Sequence, residues 1–231
     1  VEDAAHAFGS VYKGKKVGTF GDITCFSFDP IKIITCGEGG ALAINNKRIA
    51  QTAIKKRILG ISKDTWSRYK HKRSWFYNVE TLGFRYHMSN INAAIGLVQI
   101  KKIKLFLKRR QEIVRKYDDL LKDIKEVELL KHDYKYTAPF NYIVKVKRKR
   151  EKLMKCLKDN GIGSGIHYIP NHIQPFFALY RTRLPVTEKI WKQILTLPLY
   201  YGLKDKEIEK IAKIIKFFFK MRQSKRHNLK V

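Results

Sequence analysis

The stretch DITCFSFDPIKIITCGEGGALAIN, residues 22–45, constrains this chain more than any other part of it. Ile23, Cys25 and Phe28 mark a short strand that ends at Ser27 and Phe28. A proline turn then presents Lys32, and the glycine-rich GEGG return starts a second strand in ALAIN. Strand ends and the loops after them are where α/β folds place their ligand-binding groups. A lysine attacks a carbonyl only when its amine is deprotonated. Its ordinary value, about 10.4, must therefore fall through burial or nearby cations. On spacing alone, Lys32 reads as one surface lysine among many.

The chain has 231 residues, with 44% hydrophobic and 12% aromatic. That is enough to bury a substantial core, and it lies outside the disordered range. No apolar run reaches the length of a membrane span. Val1 is not an initiator methionine, and VEDAAHAFG reads as the middle of a βα unit, so a preceding segment is expected. Three cysteines (Cys25, Cys36 and Cys156) without a CxxC pair provide neither a disulfide framework nor a zinc site, which fits a reducing, cytoplasmic setting. No metal site is expected. The net charge of +29 raises nucleic acid as a partner. The lysines are nevertheless spread along the whole chain, and no zinc finger, RNP motif or basic zipper accompanies them. A solvated basic surface is the simpler reading.

Helical periodicity marks residues 47–59, and Ser89 or Asn90 can cap a helix over NINAAIGLVQIKKIKLF that runs on into FLKRRQEIVRKYDDLLKD. Residues 62–77 read as a loop. Beyond the long helix the pattern is α+β. PFNYIVKV is a strand, REKLMKCLKDN a helix stopped by Gly161, and SGIHYI a strand stopped by Pro170. TEKIWKQIL and KDKEIEKIAKIIKFFFK are amphipathic helices. Asp3 and His6 lie three apart at a strand-to-helix junction. By themselves they read as a helix cap and a packed core histidine.

Taken in order, VEDAAHAFG, FSFDPIKIITCGEGG, GFRYHMSNINAAIGLVQ, HYIPNHIQPFF and LTLPLY resemble the DegT-type nucleotide-sugar aminotransferases, nearest their perosamine-synthase-like branch. The resemblance covers nearly the whole chain apart from the basic tail. It implies an α/β chain with the pyridoxal-phosphate (PLP)-dependent aminotransferase (type I) fold. Residues 1–105 would be the C-terminal part of a large domain with a mixed sheet. Residues 106–220 would form a small α+β domain, and 221–231 a basic tail.

The resemblance also implies the site. Lys32 would hold pyridoxal 5′-phosphate and shuttle a proton, and Asp3 would face the pyridine nitrogen. His6 would lie beside the ring oxygen, and Ser27 would bind the phosphate. Arg85 and His87 stand where the family usually has an asparagine that reaches the phosphate from a neighbouring subunit. His172 and Tyr168, with Trp75, would line the sugar pocket. The implied reaction moves an amino group, from glutamate, to a nucleotide-linked keto-sugar in polysaccharide biosynthesis, within a homodimer. Lys32 argues against the dehydrating relatives, which carry histidine there. The alternatives are a fragment without catalysis and a basic nucleic-acid-binding protein.

Overall fold

The computed structural model describes residues 1–61 and 77–227, with side chains described as far as Lys220. Trp75 and most of the expected 62–77 loop lie outside the described residues. The chain divides into two compact units, Val1–Lys104 and Leu105–Val231. Among the described residues no helix is long and apolar enough to cross a membrane.

The first unit is built on a mixed three-stranded sheet in the order β1–β4–β5. Strand β1 (Glu2–Asp3) runs parallel to β4 (Ile23–Ser27), and β5 (Gly40–Ile44) runs antiparallel to β4 with Ser27 opposite Gly40. A small hairpin joins β2 (Val11–Tyr12) to β3 (Lys15–Lys16). Its two-residue turn places Lys13 and Gly14 at φ 45° and 76°, the left-handed pair that matches hairpin twist. The expected helix after β1 is absent. Successive turns follow instead, with the amide of Ala7 donating to the oxygen of Ala4 and that of Ser10 to Ala7. Gly9 then continues at φ 93°, a left-handed backbone that a helix does not contain.

Helix α1 (Lys47–Arg57) starts at Asn46, whose side chain accepts from the amides of Arg48 and Ile49 at 2.9 and 3.2 Å. The long periodic stretch forms one helix, α2 (Asn90–Leu121), with Ser89 as its cap. The Ser89 hydroxyl accepts from the amide of Asn92 at 3.2 Å.

The second unit carries an antiparallel sheet in the order β6 (Val127–Leu129), β7 (Tyr142–Val146), β8 (Ile194–Leu197). Strand β7 alternates, burying Tyr142, Val144 and Val146 on one face. Against that face lie Ile113, Val114, Tyr117 and Leu121 of α2, at helical spacing and fully buried. Leu153 and Leu157 of α3 (Arg150–Asp159), Leu195 of β8 and Ile208 and Ile215 of α5 (Asp205–His227) complete the same core. Each such side chain contributes about 1.5–3 kcal/mol by leaving water.

Two expectations fail in this unit. SGIHYI is no strand, because only Gly165 bridges to Thr196 before Pro170 turns the chain. The helix expected over 187–195 stops early as α4 (Pro185–Trp191), and ILTL becomes β8. Leu195, Thr196 and Leu197 are all buried, and such a run has no period that separates strand from helix.

Candidate active site

Asp3 is the last residue of β1 and pairs with Cys25, two residues before the end of β4. Side chains alternate along a strand, and paired residues share a face. Asp3, Cys25 and Ser27 therefore occupy one face of the sheet, and Glu2, Thr24 and Phe26 the other. The buried Thr24 hydroxyl donates to Glu2 Oε2 at 2.8 Å, in keeping with that alternation. Because β1 and β4 are parallel, Asp3 and Ser27 stand at the same, C-terminal edge of the sheet. Asp3 is exposed, and its Oδ1 accepts from the amide of Ala5 at 3.0 Å, an Asx turn rather than a helix cap.

The chain leaves β4 through a loop closed on Phe28. The amide of Phe28 donates to the oxygen of Gly39 at 2.8 Å. Its own oxygen accepts from the amide of Cys36 at 2.9 Å and from the Thr35 hydroxyl at 3.2 Å. Thr35 also accepts from the amide of Gly37 at 2.9 Å. Ile33, Ile34 and Cys36 turn inward and are buried, and burial pushes the Cys36 thiol up, which keeps it protonated. Lys32, half-buried, sits on this braced loop, its amide donating to the oxygen of Asp29 at 3.0 Å.

The GEGG return has a steric reason. A β-carbon at Gly40 would lie 2.5 Å from the Phe26 oxygen, and one at Gly39 2.5 Å from the Met88 methyl, with Gly39 at φ 147°. Only glycine lets the return approach both β4 and the start of α2. Asn92 ties the two together by donating to the oxygen of Glu38 at 2.9 Å.

His6 is exposed on the turn that follows Asp3. Ser27 Oγ accepts weakly from the amide of Asp29 at 3.4 Å. Arg85 and His87 are exposed on a segment laced to the end of α1, where the amide of Phe84 donates to Lys56 and that of Tyr86 to Arg57. A cleft of about 1120 Å³ runs along β5, α1 and α2, lined by Phe26, Leu42, Ala53, Tyr86 and Leu97. It reaches His87 and does not include Asp3, Ser27 or Lys32.

Tyr168 and His172 belong to the second unit. Tyr168 is 56% exposed. His172 is the middle residue of a 3-10 turn (Asn171–Ile173), and its Nε2 lies 3.3 Å from Glu188 Oε1. Thr35, Asn92 and Glu188 have no role that motif or periodicity marks. Thr35 stood inside the quoted motif, and Asn92 two residues past the cap signal at Asn90. Nothing local marked Glu188, sixteen residues from its histidine.

The architecture is that of the PLP-dependent aminotransferases of type I: part of a large mixed-sheet domain followed by a small α+β domain. The chain belongs to the DegT/DnrJ/EryC1/StrS aminotransferase family, which matches residues 1–216. It is 36% identical over 226 residues to the uncharacterized protein MJ1066 of Methanocaldococcus jannaschii, covering 94% of this chain and 58% of that protein. It is 33% identical over 227 residues to the spore coat polysaccharide biosynthesis protein SpsC of Bacillus subtilis, with the same coverage. The crystal structure of the sugar aminotransferase CalS13 from Micromonospora echinospora superposes with a TM-score of 0.82 at 29% identity, over 93% of this chain and 57% of that one. The chain thus spans a little over half the length of the relatives it matches.

Proposed function

We propose that the protein acts as a PLP-dependent aminotransferase that moves nitrogen from an amino acid, glutamate, to a keto-sugar carried on a nucleotide. One observation carries this reading. Asp3 and Ser27 end adjacent parallel strands on one face, and Lys32 lies on the closed loop that leaves the second strand. A carboxylate, a hydroxyl and a half-buried amine at one sheet edge are the donor set that a pyridine nitrogen, a phosphate and an aldehyde carbon require. The residues present fit PLP. The names of SpsC and CalS13 support sugar and polysaccharide chemistry as the setting.

When bound, PLP supplies an electrophilic carbon and a ring that accepts electrons. Lys32 would hold it covalently through Nζ; once the amino donor's nitrogen had replaced that bond, the freed amine would take a proton from the donor's α-carbon and deliver it to the cofactor's aldehyde carbon. Asp3 would keep the ring nitrogen protonated, because a carboxylate beside a cation favours the charged form. Ser27 would donate to the phosphate and His6 would flank the ring oxygen. Arg85 and His87 would bring donors to the phosphate from the second subunit of a homodimer, arginine in bidentate fashion. Tyr168 and His172 would contact the sugar.

The test is chemical. The protein is loaded with PLP, reduced with borohydride, digested and weighed. A phosphopyridoxyl adduct on the peptide containing Lys32, absent from Lys32→Ala, is expected. An adduct on a different lysine, or none, overturns the assignment.

A further inference from the structure

The pair His172–Glu188 does more than the proposed function uses. Glu188 Oε1 accepts from the amide of Leu184 at 3.0 Å and lies 3.3 Å from His172 Nε2. The Leu184 amide, and then His172, hold the Glu188 carboxyl below its usual range. One oxygen therefore closes the base of the segment 172–184. The 3-10 turn Asn171–Ile173 leads into that segment, and the turn Pro175–Tyr180 lies within it. Phe176, Leu179 and Tyr180 there are 87%, 94% and 79% exposed, so packing gives them little hold. The histidine itself is not loose, since its side chain is only 10% exposed.

We propose that Glu188 is a positioning residue: it engages Nε2 of His172, fixes the ring, and leaves Nδ1 as the atom offered to the substrate. This rests on the reading above, in which His172 contacts the sugar. An imidazole held at one nitrogen by a carboxylate has its tautomer set, with Nε2 the donor and Nδ1 the acceptor when neutral. The group recognised by Nδ1 is then a hydroxyl of the keto-sugar, which can donate to it. The cofactor and the amino donor lie outside this assignment, so the two half-reactions separate its effects.

The experiment compares the holoenzyme with Glu188→Ala, Glu188→Gln, His172→Ala and the double alanine variant. The donor half-reaction is read from the cofactor spectrum with glutamate alone, and KM is read for the nucleotide sugar. Glu188→Ala is expected to raise that KM about tenfold, the worth of one hydrogen bond to a charged group, with the donor half-reaction unchanged. Glu188→Gln keeps an acceptor for Leu184 and should recover part of the loss. In the His172→Ala background, Glu188→Ala should add nothing. An equal loss in both half-reactions, or a full additive loss in the double variant, overturns the proposal.

A second measurement is independent of turnover. The ¹⁵N spectrum of His172 should report protonation at Nε2 and change in Glu188→Ala. An unchanged ring spectrum overturns the clamp even in an active enzyme. A wild type that never converts its cofactor with any amino donor overturns the function proposed above and leaves the clamp to be decided by the spectrum.

Discussion

Gly96 of α2 lies directly against the thiol of Cys36: a β-carbon at 96 would stand 2.5 Å from its sulfur. This contact seats the lysine-bearing loop on the long helix. Gly96→Ala should therefore destabilise the first unit by about 1–3 kcal/mol through overpacking, less the roughly 1 kcal/mol that alanine contributes in a helix. Cys36→Ala in the same background should recover most of the loss. Urea midpoints of the single and double variants test the coupling; additive effects would show that the two residues do not meet.

Arg110 is buried without a carboxylate, and burial lowers its pKa from the usual guanidinium value. Its Nη1 donates to the oxygens of Pro139, Phe140 and Leu199 at 3.2, 3.2 and 3.3 Å. Arg110→Met would strip those carbonyls of their donor, at a cost of about 1–3 kcal/mol. Arg110→Lys should fall between, since one ammonium cannot reproduce the planar fork. Chemical denaturation of the second unit gives the order.

Tyr117 and Tyr142 stack with centroids 4.7 Å apart in the same core. The Tyr117 hydroxyl donates to the Pro198 oxygen at 3.1 Å, and that of Tyr142 to Asp118 Oδ1 at 2.7 Å. Burial, reinforced at Tyr142 by Asp118, raises both pKa values well above the ordinary phenol range. A raised folded-state value means that the stabilisation is complete below the unfolded pKa of about 10 and falls as pH rises beyond it. In an ultraviolet titration the exposed tyrosines should ionise first. These two should appear only with cooperative unfolding, and a simple titration of all the tyrosines near pH 10 would contradict the packing.

Asp205 begins α5 and pairs with Arg109 at 2.7 Å and Lys116 at 3.1 Å, which hold its carboxyl below the usual range. The sign is opposite to the tyrosines. The contribution is present above the unfolded value of about 3.9 and is lost as pH falls through the lower folded value. Asp205→Asn should melt slightly below the wild type at neutral pH, and the gap should close in acid. The gap should also shrink in high salt, because the pair is exposed. A difference that is constant from neutral pH to strong acid would assign the effect to something other than charge.

Much of the fold was legible because local signals agreed with packing. The strands at Ile23–Ser27 and Gly40–Ile44, the cap at Ser89, and the helix ending before Gly161 follow from side-chain chemistry within a few residues. What escaped was set at long range. Leu195 and its neighbours become a strand because β7 is there to pair with them. Residues 164–169 do not, because only Gly165 finds a partner. Motif order singled out Asp3, Ser27 and Lys32 as candidates for the proposed site, whereas periodicity alone left each of them commonplace. The loop closure by Thr35 and the grip of Glu188 on His172 join residues through turns that composition does not encode.

The two units hold their interiors very differently. Among the described residues, the apolar side chains buried in the first are Ala4, Phe28, Ile33, Ile34, Cys36 and Ile61, and four of these belong to the loop around Lys32. That loop is therefore both the proposed reactive element and most of the sealed interior of its half. Calorimetry should resolve two steps, with the lower one belonging to residues 1–104. A ligand joined to Lys32 braces the native form alone, so added pyridoxal phosphate should lift the lower step and leave the upper one where it is.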